Sequence, residues 1–498
     1  MSIATIAVRK HRELEVKLGC LDDELAAWEA LAAPGATMEK HHSQMARLAA
    51  HMRGLQRELA AELAAARKSG TVLGGSVELE RTILQAHRVW DFFRRKFALR
   101  CVEHFRPWLA AADELAWACY EPALRRRRRS GAVDPRALRE PPLVYLYDDV
   151  DSASPMEYSR QKAVDLAELP VVPRERFLAI LRELPIPLVG VPWFQLAHLP
   201  EMTLIAHEVG HIVEDDLGLA KRLHELVGAA LARAKVPAPR REAWDAWLGE
   251  IFADVWGVLA LGPAFAWSLQ TFIADAPIKV AAERRDAATG WGAYPTTWLR
   301  AALAAESVER TGHAAAATAV RKAWLVEFPV HAMTAYAGGE PTSQGPSGSF
   351  VPGVPGVPGG PSETSDIALV VGAILDGPWP EFGGGPLADT LAFDVKRQKN
   401  AAALAAHLLS HHSVEDGKAA DVRVLVAAAA LAVVDDPRAF EEGDRATALL
   451  EAIETSITAG VRGEPGAVDP TVEAAHAATI AAWDDAAGGR LRALLKGA

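Results

Sequence analysis

Two histidines four residues apart, His207 and His211, bracket Glu208 in the segment Leu204-Ile-Ala-His-Glu-Val-Gly-His-Ile-Val. On a helix, positions i and i+4 share a face, so both imidazoles can reach one cation while Glu208 sits beside its bound water. The flanks favour a helix: Pro200 and Glu201 suit a first turn, Ile205, Val209 and Ile212 offer an apolar side, and Gly218 can end it. Two imidazoles do not complete a catalytic zinc site, which needs a third protein ligand and an open position for water. A histidine ten residues after His207 is absent, since that position is Leu217. A carboxylate on a following helix can serve instead. In Trp247-Leu-Gly-Glu250-Ile-Phe-Ala-Asp254-Val-Trp-Gly257 the two acids stand one helical turn apart. Glu250 is the leading third ligand, and Asp254 can accept a hydrogen bond from a ligating histidine and fix its tautomer. The plainer alternative is a solvated acidic pair. It has to explain acids set among Trp247, Ile251, Phe252, Val255 and Trp256, where an acid needs a partner. Glu214, Asp215, Asp216, Glu225 and Glu242 are weaker ligand candidates, and His224 is weaker still.

The pattern HExxH followed by Glu-x-x-x-Asp resembles the gluzincin metallopeptidases. The fuller form Glu250-x-x-Ala253-Asp254-x-x-Gly257 resembles the HtpX-type and CAAX-prenyl-protease-type peptidases. Those proteins also carry a downstream His-Pro motif with an arginine six residues after the histidine. This chain has Tyr294-Pro295-Thr-Thr-Trp-Leu-Arg300, the same spacing with tyrosine in place of histidine. The resemblance covers about residues 200–302. It implies a zincin-like fold with Zn2+ held by His207, His211 and Glu250, with Glu208 as the base for water attack on a peptide carbonyl. Tyr294 is then the first candidate to donate to the developing oxyanion, because a phenol donates without changing charge. Its plain alternative is a Tyr-Pro turn opening a helix. Arg300 either orients an acid near the site or faces solvent.

These residues need a scaffold, and the hydrophobic pattern supplies one in outline. Residues 1–135 read as long helices, with breaks at Pro34-Gly35 and Ser69-Gly70, which suits a helical bundle or coiled coil. The run Arg125 to Arg129 reads as a solvated helix end. Residues 141–337 form the expected metallopeptidase domain. It opens with two strand candidates, Leu143 to Tyr147 and Ile186 to Val191, with a helix expected over Arg174 to Leu184 between them. Residues 338–363, with three Val-Pro-Gly units, read as a Pro/Gly-rich linker. Residues 366–498 are Ala-rich and read as a separate helical domain. The expected fold class is α+β, mainly helical, with a small sheet in the metallopeptidase domain.

Composition bounds the partners. Of 498 residues, 53 are Lys or Arg and 64 are Asp or Glu, a net charge of −11 that argues against nucleic acid. Three cysteines without a CxxC exclude a disulfide framework and a thiolate zinc site. The uncharged run Val255 to Ala274 is long enough to span a bilayer, but Gly262-Pro263 divides it, and it reads as two buried helices. With few cysteines and no signal-like start, the expected compartment is the cytoplasm, without a membrane. The expected function is a zinc-dependent endopeptidase acting on a protein or peptide substrate, with the N-terminal helices open to a protein partner. The alternative is a catalytically idle zincin-fold scaffold with an interaction or regulatory role.

Overall fold

Leu14, Leu18, Leu21 and Leu25 recur at helical spacing and are buried along one edge of α1 (Ile6–Leu31). Its first turn is capped by Thr5, whose hydroxyl accepts the Val8 N–H at 3.3 Å. α2 (His42–Ser69) ends where Gly70 takes φ +70°, a left-handed turn that glycine adopts without strain. α3 (Val72–Ala98) brings Trp90, Phe93 and Phe97 to the same apolar cluster. The computed structural model describes residues 4–131, 138–147, 179–180, 182–196, 198–283, 285–286, 290–329, 349–350, 364–411, 414, 421–441, 444–459 and 470–496.

The chain divides into two compact units. The first comprises Met1–Ala110, Val133–Pro192 and Arg462–Ala498; the second comprises Ala111–Ala132 and Trp193–Val461. In the first unit, β1 (Leu143–Tyr147) and β2 (Leu188–Pro192) pair in parallel, Leu143 opposite Leu188 and Tyr147 opposite Pro192. Leu143, Tyr145, Ile186 and Leu188 join the core of the three helices, and buried Arg100 donates to the Val144 carbonyl at 2.6 Å. The helix Pro470–Lys496 lies along α2. Gly488 meets Gly54 so closely that a Cβ on Gly488 would collide with the Gly54 carbonyl carbon. Around that crossing, Asp484 receives Arg47 at 3.0 Å and His51 at 2.6 Å, and Glu62 holds Arg492 and Lys496 at 2.6 Å each.

Two groupings thus differ from the linear division expected from sequence. Both strand candidates form, but their sheet belongs with the N-terminal helices, because its apolar face is buried in their cluster. Nor do the Ala-rich helices after residue 364 form a module of their own. Thr364–Asp376 packs against Ala220–Arg233 and Thr297–Arg310, and Val422–Asp435 against Pro263–Ile273, all in the second unit, whereas Pro470–Lys496 belongs to the first. Alanine-rich helices are small on every side, so their pattern marks helix without marking which neighbour they pack on.

The second unit is built around a helix that is apolar nearly all round, Leu248–Leu261, with Ile251 to Leu261 all buried. Such a helix is a core element. It ends at Gly262 (φ +60°), and Pro263 opens the next helix, Pro263–Ile273, so the uncharged run is two helices. No described helix is long and apolar enough to cross a membrane. The run Arg125 to Arg129 ends the helix Arg106–Arg129, and it is not simply solvated. Arg126 donates to the carbonyls of Phe382 and Pro386, both at 3.0 Å, and to the Thr390 hydroxyl at 2.8 Å. Of residues 338–363 only Ser349 and Phe350 are among the described residues, paired antiparallel with Arg285 and Asp286. Most of the helix expected over Arg174 to Leu184 lies outside the described residues.

Candidate metal centre

The helix Leu204–Asp216 carries His207 and His211 and begins beyond a 3-10 turn, Leu199–Thr203. The Pro200 carbonyl is held there by the Thr203 hydroxyl at 2.8 Å and the Ser268 hydroxyl at 3.1 Å. The helix stops at Gly218 (φ +66°), and Ile205, Val209 and Ile212 are buried on its apolar side. This histidine helix lies against the carboxylate helix Leu248–Leu261, with Gly210 facing Ala253. The arginine helix Thr297–Arg310 packs on the carboxylate helix as well. Its N-cap is Thr296, whose hydroxyl accepts the Leu299 N–H, and the Thr297 N–H is held by Glu283 at 2.6 Å.

These helices bring His207, His211 and Glu250 together, their ligand atoms all within 4.8 Å of one another; among the described residues this is the group of His, Cys, Asp and Glu that could hold a metal ion. The two Nε2 atoms stand 3.2 Å apart. His207 Nε2 is 3.4 Å from Glu250 Oε2, and His211 Nε2 is 3.6 Å from Glu250 Oε1. Zinc bound tetrahedrally at about 2.0–2.1 Å from each ligand requires donors about 3.3–3.4 Å apart; the observed 3.2, 3.4 and 3.6 Å bracket that spacing, with each histidine nearest a different oxygen of Glu250.

The protonation pattern points the same way. His207 Nδ1 lies 2.8 Å from Asp254 Oδ1. Arg300 donates to both Asp254 oxygens, Nε to Oδ2 at 2.9 Å and Nη2 to Oδ1 at 2.8 Å. Burial alone would raise the Asp254 pKa, but Arg300 and His207 hold it below its ordinary value. An ionised Asp254 can only accept, so His207 Nδ1 carries the hydrogen, and in the neutral ring the Nε2 lone pair faces Glu250 and His211. Glu250 Oε2 is buried with no hydrogen-bond partner. Acceptors gathered round one point in this way fit a cation, which would stand where imidazole protons otherwise lie.

Without that cation a proton takes its share of the attraction. Burial pushes the His207 pKa down, yet the Asp254 and Glu250 carboxylates outweigh it and raise the imidazole to about 10. Burial opposes ionisation of Glu250 too, but His207 and His211 keep it well below the usual carboxylate range. Glu208 is buried beside them and is raised well above its ordinary value, chiefly by burial, with His207 opposing and Glu250 adding to it. Half-buried Tyr294 lies with its ring 5.5 Å from the Arg300 guanidinium, and its hydroxyl is raised above its ordinary value, first by burial and then by Glu250.

The weaker ligand candidates lie elsewhere or are otherwise engaged. His224 meets Asp245 at 2.5 Å on the surface, Asp216 accepts from the Tyr120 hydroxyl at 3.2 Å, Glu225 pairs with Arg222 at 3.2 Å, and Glu242 is exposed. Glu214 shares the histidine face, and burial raises it to about 7. Of the two readings of Arg300, the buried one holds: it orients an acid. Gly210 was not singled out in the sequence; its signal is a glycine inside HExxH matched by an alanine before the second acid. No family model matches the chain, and no curated protein or solved structure matches it either.

Proposed function

We propose that this chain is a zinc-dependent endopeptidase, hydrolysing peptide bonds of a protein substrate, with zinc ligated by His207, His211 and Glu250. The observation that carries the reading is the convergence of two Nε2 atoms and one carboxylate at zinc-like spacing, with a glutamate buried next to the first histidine. Bound zinc would supply Lewis acidity toward water and toward a peptide carbonyl.

The chain's own groups carry the remaining work. Glu208 takes the proton of the attacking water and returns it to the leaving amine. Burial and the Glu250 carboxylate raise its pKa well above the ordinary value, and a cation bound beside these carboxylates would lower it again toward that of a base. Asp254 holds His207 in one tautomer and one orientation, and Arg300 keeps Asp254 ionised. The Tyr294 hydroxyl stays protonated at neutral pH and donates to the developing oxyanion.

The test compares purified wild type with Glu208→Gln. Wild type is expected to carry stoichiometric zinc by elemental analysis and to cleave a mixed protein substrate, while Glu208→Gln keeps the zinc and loses about 10²–10⁴-fold in rate. Stoichiometric zinc with no Glu208-dependent cleavage would overturn the reading and leave a catalytically idle scaffold of the same fold.

A further inference from the structure

α1 and α2 leave a cleft of about 720 Å³ between them in the first unit. One wall is a face of α2 on which Arg57, Ala60, Ala64, Arg67 and Lys68 recur at helical spacing. The opposite wall is α1, where Arg12 bridges to Glu15 at 3.2 Å. The floor is small and open: Ala60 and Ala64 are exposed, and a Cβ on Gly19 would meet nothing within 4 Å. Beneath it, Gln56 Nε2 donates to the Leu18 carbonyl at 3.0 Å and ties the two helices together.

Its charge sets the cleft apart. The other cations of α2 are neutralised: Arg47 pairs with Asp484 at 3.0 Å, and Arg53 with Asp22 at 2.9 Å and Glu29 at 2.6 Å. Among the described residues, the side chains of Arg57, Arg67 and Lys68 make no hydrogen bond or ion pair. Three uncompensated positive charges therefore line one cleft of a chain whose net charge is −11.

We propose that this cleft docks an acidic amphipathic helix of a partner protein. The carboxylates of that helix meet Arg57, Arg67 and Lys68, and its small-residue face lies on Gly19, Ala60 and Ala64. A groove between two helices, lined by Leu18, Gly19, Ala60, Leu63 and Ala64, suits helix-in-groove recognition. The stretch from Arg57 to Lys68 measures about 16 Å along α2, some three turns of a docked helix. A single-stranded nucleic acid fits less well. The cleft has no Phe, Tyr or Trp on which a base could stack, and Glu15 stands in its wall.

The test uses the full chain and a fluorescein-labelled helical peptide of Ala, Leu and Glu, about 18 residues or five turns long, followed by fluorescence anisotropy. Saturable binding is expected, weakening as salt rises and dropping about tenfold or more in Arg57→Glu/Arg67→Glu, because opposite charges there become like charges. Circular dichroism checks that the variant keeps its helices, and Arg57→Gln/Arg67→Gln gives an intermediate loss without introducing repulsion. The proposal falls if the wild-type chain shows no saturable binding or if both variants bind as well as wild type. It also falls if a lysine version of the peptide, or a single-stranded oligonucleotide, binds as tightly as the glutamate peptide.

Discussion

Gly210 and Ala253 meet backbone to backbone: a Cβ on Gly210 would stand 2.8 Å from the Ala253 Cα and 3.0 Å from the Trp256 Cβ. That contact sets how far the histidine pair lies from Glu250, because the ligands sit on the two helices that touch there. The spacing of the candidate metal centre thus depends on a side chain that neither helix has.

Gly210→Ala should push the two helices apart. Overpacking of this kind costs about 1–3 kcal/mol, partly offset by about 0.5–1 kcal/mol from the better helix propensity of alanine. Zinc affinity should drop about tenfold or more, since displaced ligands no longer meet one point. A thermal melt and a competitive zinc titration measure the two effects. An unchanged zinc affinity would mean that the contact does not govern the site.

Arg300→Met should leave the Asp254 carboxylate buried without its cation, a change worth about 3–5 kcal/mol when one partner of a buried pair is removed. Asp254 then tends to take up a proton, and His207 loses the acceptor of its Nδ1 hydrogen. Arg300→Lys should recover part of the stability, because an ammonium cannot reproduce the two-pronged contact with both oxygens. Denaturant unfolding and the nitrogen shifts of His207 would report these changes. Equal stability of all three proteins would contradict the geometry.

The metal-free protein should lose stability as pH rises above neutrality. The His207 pKa of about 10 in the folded chain exceeds its ordinary value of 6.5, so its contribution is complete below about pH 6.5 and fades toward pH 10. The raised Glu208 acts in the same direction, since ionising it in a buried site costs stability above its ordinary value of 4.5. Glu250 and Asp254 are depressed and act at the other end. Their contribution is present above the ordinary carboxylate range and is lost as pH falls through their folded values. Zinc must displace the proton on His207, so binding near pH 8 should release protons, and affinity should climb with pH. Calorimetry in two buffers of different ionisation enthalpy measures that release, and its absence would refute the proton assignment.

A chain ended at residue 337 should fail to form a stable metal centre. Phe252 of the carboxylate helix stacks on Trp256 with ring centres 6.0 Å apart and meets Trp379 at the same distance, and Trp379 is fully buried. The buried Asp366 accepts from Arg240 Nε at 3.0 Å and from Trp244 Nε1 at 3.2 Å. Trp379→Ala in the full chain should cost about 3–5 kcal/mol. Normal zinc binding and a cooperative melt from the shortened chain would disprove the dependence.

The spacing of the candidate site residues was legible because each pair lies one helical turn apart on a single helix: the ligands His207 and His211, and the ligand Glu250 with the orienting Asp254. Leu143 to Tyr147 and the Gly262-Pro263 break were legible for a similar reason, as local patterns with local causes. What periodicity does not carry is partnership. The strand Leu143–Tyr147 has the same alternation whichever helices cover it, and it went to the N-terminal bundle. The helix Val422–Asp435 is small and apolar on every side, so nothing in its pattern names Pro263–Ile273 as its neighbour. Arg300 stood between two readings because its partner lies 46 positions away on another helix. Gly210 carried its information as an absence of side chain, which a search for chemistry-bearing residues passes over.

The seating of Pro470–Lys496 on α2 bears on the order in which the protein is made. The first unit takes its second helix from near residue 50 and that helix's cover from near residue 488. A chain emerging from the ribosome therefore exposes the covered side of α2 while more than four hundred further residues are made. Gly54, His51 and Leu55 wait for more than four hundred residues before their cover arrives. The second unit, which ends at Val461, has all of its residues earlier. Of the two units, the one that holds α2 is thus the last to close, and the uncovered side of α2 in the meantime is a place for a chaperone to hold.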